Sequence, residues 1–225
     1  MANGMRQHLL STFFGALFLI SLLGQSVAGL LEYNEKQTSH GLQPVTYGDF
    51  VTSSDFVVDV AENWQSEFLQ FSLFILATIW LIQRGSPESK RPGDEGLGSD
   101  KEQLVGTHAK ASSPHWARAG GWRLVIYSNS LLIVMGVIFL LSWWAQSVAG
   151  LVVFNEEQSE HGQSTINWIG YLASADFWNR TLQNWQSEFL AVGSMVALSI
   201  YLRQRGSAES KPVGTPHYET ATEGE

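Results

Sequence analysis

The string Gln25-Ser26-Val27-Ala28-Gly29-Leu30 recurs, letter for letter, as Gln146-Ser147-Val148-Ala149-Gly150-Leu151. Outward from it, N-W-Q-S-E-F-L at Asn63–Leu69 returns at Asn184–Leu190, and R-G-S-x-E-S-K at Arg84–Lys90 returns at Arg205–Lys211. A constant offset of 121 keeps all three in register. Residues 10–90 fall on 131–211 without a gap, and 30 of the 66 positions from Gln25 to Lys90 are identical. Self-similarity at a fixed period reports architecture before any single element does. Each copy carries two apolar segments, so the sequence predicts an all-α fold: a four-span transmembrane helix bundle made of two parallel, repeated helical hairpins with folded outer helical extensions.

The first span of each copy is long. Leu9–Leu31 has 23 residues and no formal charge, enough at about 1.5 Å per residue for a hydrocarbon core of roughly 30 Å. Its counterpart lies within Leu124–Val153. The second spans, Phe68–Ile82 and Phe189–Leu202, are shorter, so part of each N-W-Q-S-E-F-L string is expected to complete them. Charged residues make up only 15 % of the chain, against roughly 25 % in ordinary soluble domains. The net charge of −8 excludes the basic surface a nucleic-acid partner would need. With no cysteine, disulfides, thiolate metal sites and cysteine nucleophiles are excluded as well.

Positive charge sets the expected orientation. Eleven of the 13 Lys and Arg residues lie at the N-terminus (Arg6), between the copies (Arg84, Lys90, Arg91, Lys101, Lys110, Arg118, Arg123) or in the tail (Arg203, Arg205, Lys211). Only Lys36 and Arg180 fall in the hairpin loops. The positive-inside rule then predicts cytoplasmic termini and linker, with the loops outside. An even number of spans per copy keeps the copies parallel, related by a pseudo-two-fold axis along the membrane normal. Residues 1–28 imitate a secretory signal ending at Ser26-Val27-Ala28. The same string recurs at Ser147-Val148-Ala149, where no leader can be, so no cleavage is expected.

The expected domains are 1–90 (first hairpin), 91–121 (a disordered cytoplasmic linker rich in Gly, Ser, Pro and charge), 122–211 (second hairpin) and 212–225 (a disordered acidic tail). Outside the membrane, the first helix is expected to run on and stop at Gly41, as its counterpart stops at Gly162. The chain then returns through Tyr47–Val51, with room for one short helix. Ser53 and Asp55, repeated as Ser174 and Asp176, read as helix initiators.

Two polar sets are candidate sites. Gln25, Glu67, Gln146 and Glu188 are expected at one depth, just inside the outer edge of the hydrocarbon core. An intramembrane carboxylate there either handles ions or is locked by a glutamine hydrogen bond. The spacing predicts a side-chain bond from each glutamine to a glutamate. An outer cluster comprises Asn34, Glu35, Gln37 and His40, repeated as Asn155, Glu156, Gln158 and His161. Two histidines and two carboxylates suit a divalent metal, but Glu35 and His40 are five apart and do not share a helix face. The favoured role is helix capping and hydrogen bonding, with no metal and no cofactor assigned. The Arg and Lys of R-G-S-x-E-S-K suit an anchor at anionic lipid. No phosphate-binding glycine loop, nucleophile elbow or HExxH string occurs.

Taken together, N-E-x-Q-x-x-H-G, N-W-Q-S-E-F-L and R-G-S-x-E-S-K resemble an uncharacterised bacterial family of membrane proteins catalogued as a domain of unknown function. The resemblance covers roughly residues 5–90 and 122–211. It implies the membrane fold and a bacterial inner-membrane location, and brings no activity. Copy one departs from copy two at Glu32 and Lys36, where Val153 and Glu157 stand. Three functional readings result. The first is a non-enzymatic structural or envelope-associated module whose partners are the lipid bilayer and another envelope or membrane protein, with a homo-oligomer left open. The second is a small channel or transporter subunit moving protons or cations past Glu67 and Glu188. The third is a membrane enzyme with a metal at His40 and His161.

Overall fold

A computed structural model describes residues 8–220. Arg6, one of the charges used for orientation, and residues 221–225 of the tail lie outside the described residues. Among the described residues the chain holds seven α-helices, two short 3-10 turns and no strand. The helices are α1 Leu9–Ser39, α2 Tyr47–Val51, α3 Ser54–Trp80, α4 Trp122–Ser128, α5 Ser130–Glu160, α6 Trp168–Leu172 and α7 Ala175–Leu198. Two of them, α1 and α5, are long and apolar enough to cross a membrane. The other two expected spans begin midway along α3 and α7, whose first halves are polar and carry Asp55, Asp59 and Glu62, or Asp176 and Arg180. Four spans were expected, and by length and composition the helices supply two.

The helix ends follow local chemistry. Gly41 and Gly162 take φ of +75° and +66°. The following amides reach back over the last turn, Leu42 to the Gln37 carbonyl at 2.9 Å and Gln163 to that of Gln158 at 2.8 Å. This is the glycine stop that only a residue without a Cβ adopts cheaply. Ser53 Oγ accepts from the Phe56 amide (3.3 Å) and Ser174 Oγ from the Phe177 amide (3.2 Å), starting α3 and α7 at the expected serines. The first apolar run of the second copy is interrupted once. Asn129 turns its side-chain amide onto the Val125 carbonyl at 2.8 Å, a local bond that competes with the helix ladder, and so separates α4 from α5.

The described residues form two compact units: residues 8–61 with Ala145–Tyr171, and Glu62–Trp144 with residues 172–220. In the first, α1 and α5 each carry a short helix, α2 and α6, as a brace across their ends. In the second, α7 contributes an aromatic core, and 3-10 turns Gly106–His108 and His115–Arg118 punctuate the segment between the copies.

Candidate functional site

In the first unit, residues 121 apart do the same work twice. Along α1, Ser26, Gly29, Tyr33 and Asn34 share one helical face, and each meets the return segment. Ser26 Oγ bonds the Tyr47 hydroxyl (2.8 Å), as Trp168 Nε1 donates to Ser147 Oγ (3.1 Å). Gly29 lies under the Phe50 ring: a Cβ built there would sit 2.9 Å from Phe50 Cζ. Gly150 lies under Tyr171: a built Cβ would collide with the Tyr171 hydroxyl and sit 3.1 Å from Cζ. Tyr33 packs on Phe50 and Phe154 on Tyr171, both pairs with centroids 5.6 Å apart and planes inclined 48°. Phe50 and Tyr171 are buried as a result.

Asn34 closes the loop by clamping the backbone of Val45, donating to its carbonyl (3.1 Å) and accepting from its amide (2.7 Å). Asn155 clamps Ile166 in the same way, at 2.9 Å for both bonds. The segment between the long helix and the short one thus has its peptide groups satisfied by a side chain. Thr46 and Asp49 then cap α2 reciprocally, and Asn167 Oδ1 caps α6 through the Gly170 amide (2.8 Å). Sequence reasoning placed the two asparagines in an outer cluster read as capping and hydrogen bonding, and singled out only the glutamines of Q-S-V-A-G-L, not its serine and glycine. The spacing 26, 29, 33, 34 was the signal that these residues share a face.

The rest of the expected outer cluster separates. Gln37, His40 and Glu156 border a cavity of about 50 Å³ with Lys36, Asp55 and Glu160. Glu35 is exposed away from it, and His161 Nδ1 lies 2.8 Å from the Glu157 carbonyl oxygen. Burial, then Asp55 and Glu160, holds the Glu156 carboxyl above its ordinary range, with Lys36 pulling the other way. Burial first, then Asp55, raises the Tyr33 hydroxyl, and a Gln37 hydrogen bond opposes this. Among the described residues, no three of His, Asp and Glu are grouped to hold a metal ion.

The expected intramembrane set divides as well. In α3 the buried residues are Val58, Ala61, Gln65, Ser66 and Ser72, and Val58, Ala61, Gln65 and Ser72 follow at helical spacings of three, four and seven. Glu67 is two residues from Gln65, about 200° around the helix, and is exposed, as is Gln25. Glu188 is half-buried. Gln146 is fully buried, and both its amide oxygen and its amide nitrogen lack a hydrogen-bond partner. The expected bond from Gln146 to a glutamate is therefore not made.

Gln65, which sequence reasoning passed over, accepts from Trp185 Nε1 at 2.7 Å in the second unit. Its Nε2 is buried without a partner. Around Trp185, Trp143 stacks on Phe139 and Phe177 (centroids 5.6 and 6.0 Å) and meets Trp178 edge-on. The first copy has Leu22 and Val57 where Trp143 and Trp178 stand, so only one copy carries this core.

Each R-G-S-x-E-S-K string folds as one loop. Ser89 Oγ accepts from the Gln83 amide (2.8 Å) and Ser210 Oγ from that of Gln204 (2.9 Å). Ser86 and Ser207 each accept, at 3.2 Å, from the amide two residues on. The lysine ending each string pins the chain that follows. Lys90 Nζ donates to the Gly96 carbonyl, and Lys211 Nζ to those of Pro216 (3.2 Å), His217 (3.1 Å) and Glu219 (2.8 Å). Burial lowers the Lys211 pKa, with Arg203 adding to the shift and Glu219 opposing it. Burial and then Glu209 raise that of Glu88.

The hairpin end and the closing loop of each copy are therefore braced by residues the copies share, Ser26/Ser147, Asn34/Asn155, Ser89/Ser210 and Lys90/Lys211. A family described as "Domain of unknown function (DUF6766)" matches residues 1–222. The chain belongs to this family. No curated protein and no solved structure matches the chain.

Proposed function

We propose that the chain is a non-enzymatic integral membrane protein of four spans, both termini and the linker cytoplasmic, which holds two rigid caps outside a bacterial inner membrane as a structural or envelope-associated module. One observation carries this reading. Several residues common to both halves brace the chain: Ser26/Ser147 hold the return-segment side chains Tyr47 and Trp168, Asn34/Asn155 clamp the backbone of that segment, and Ser89/Ser210 and Lys90/Lys211 bind backbone after the second helices. A module selected for shape conserves its supports in both copies; a site built for turnover needs side chains left over for substrate. The membrane assignment draws support from the bare apolar faces of α1 and α5, where Leu10 is 74 % and Leu141 60 % exposed. Patches of that extent are uncommon on soluble monomers. The 11-to-2 division of positive charge supports the orientation.

Two measurements test the reading. In the cysteine-free chain, Ser39→Cys should label with an impermeant maleimide from outside intact cells, and Asp100→Cys should not. Labelling of position 100 overturns the orientation. In liposomes, the purified protein should pass protons and potassium no faster than empty vesicles. A flux that Glu67→Gln/Glu188→Gln abolishes would replace this reading with a transport function.

A further inference from the structure

In the second unit, the loop Arg84–Lys90 and the end of the chain meet. Gly85 has φ of +90°, and its missing Cβ leaves room for the His217 carbonyl. Its amide donates to Thr220 Oγ1 at 3.1 Å. Beside this contact opens a concavity of about 710 Å³ lined by Arg84, Arg91, Pro92, Tyr218, Glu219 and Thr220. The Arg84 guanidinium lies 6.0 Å over the Tyr218 ring, which orients the guanidinium while consuming none of its N–H donors. Among the described residues Arg84 and Arg91 have no carboxylate within 4.0 Å, whereas Arg180 is paired with Glu62 and Asp176. The corresponding loop of the second copy borders a concavity of about 550 Å³ with Arg205, but Pro212 stands where Arg91 stands in the first. One loop offers two guanidinium groups and the other a single one.

We propose that this concavity is a binding site for a phosphate-bearing anion, with Arg84 and Arg91 as the paired charges and the Tyr218 hydroxyl as a further donor. Two guanidiniums supply planar, charge-assisted donors that match phosphate oxygens. Their place just past α3, after the exposed Trp80, is where a helix leaving a bilayer meets headgroups. That source rests on the membrane reading above; the anion chemistry does not. Glu219 is the opposing charge in the site.

The test uses the full chain in a mild neutral detergent, with native mass spectrometry counting retained lipid. Phosphatidylglycerol should be retained over phosphatidylcholine, and Arg84→Gln/Arg91→Gln should cut that retention about tenfold. Arg205→Gln should leave it within about twofold, and Glu219→Gln should increase it. Thermal unfolding of each variant verifies folding, and Arg91→Gln alone, remote from the Gly85 contact, should still lower retention if the double variant fails to fold. Inorganic phosphate provides the second arm. Arginine-dependent protection by phosphate without lipid selectivity assigns the site to a soluble phosphate. That outcome, even in a chain whose topology labelling has failed, keeps the site and removes only its lipid source. Equal retention in wild type and variant, an equal loss in Arg205→Gln, or no binding of either probe overturns the proposal.

Discussion

Removing the Asn155 side chain tests the hairpin-end brace most directly. Asn155→Ala deletes two hydrogen bonds of 2.9 Å to the Ile166 amide and carbonyl. Each is worth about 1 kcal/mol net, and a backbone group left unsatisfied costs about 1–3 kcal/mol. The site is part-buried, so water recovers some of this, and the expected loss is about 2 kcal/mol. Asn34→Ala removes bonds of 3.1 and 2.7 Å to Val45 and should lose a similar amount. The aspartate variant adds a signature that generic destabilisation lacks. Asn155→Asp keeps an acceptor for the Ile166 amide but sets a carboxylate against the Ile166 carbonyl oxygen. It should be about as unstable as the alanine variant at pH 8 and recover toward wild type as pH falls through the carboxyl range, where the protonated acid can donate. Equilibrium unfolding in detergent, followed by tryptophan fluorescence at pH 4.5 and pH 8, measures all three. Alanine variants within about 0.3 kcal/mol of wild type, or an aspartate variant with no pH dependence, would refute the clamp.

Gly150→Ala should lower the unfolding midpoint, because the added methyl meets the buried Tyr171 ring; overpacking costs about 1–3 kcal/mol, and Gly150→Ala/Tyr171→Leu should restore much of the loss in a thermal melt. Gln146→Leu should raise stability, since it removes a buried amide with no partner at a recovery of about 1–3 kcal/mol; a lower midpoint would mean that the amide is satisfied in solution. Glu88 has its carboxyl raised by burial and by Glu209, so the folded state binds the proton more tightly than the unfolded chain. That contribution is fully present below the ordinary glutamate value, and stability is lost as pH rises from there through the raised value. Glu88→Gln should therefore stabilise at pH 8 and change little at pH 3.5, and an unfolding difference constant across that range would contradict the assignment.

Much of this architecture is legible in the sequence. The glycine stops at Gly41 and Gly162, the short helix at Tyr47–Val51 and the serine starts of α3 and α7 are local events, governed by φ and by one or two side-chain bonds to nearby amides. Local chemistry of that kind is written in consecutive residues, and its recurrence at an offset of 121 doubles the signal. The use of a side chain across the fold is not local. Glu67 drew attention as a charge beside an apolar run, yet helix rotation, about 100° per residue, turns it outward and puts Gln65 on the buried stripe. Gln25 and Gln146 occupy matching sequence positions, but one is exposed and the other is wholly buried without a partner. Identical strings give identical local geometry, whereas burial depends on which neighbour each helix meets, and that was decided only by the tertiary structure.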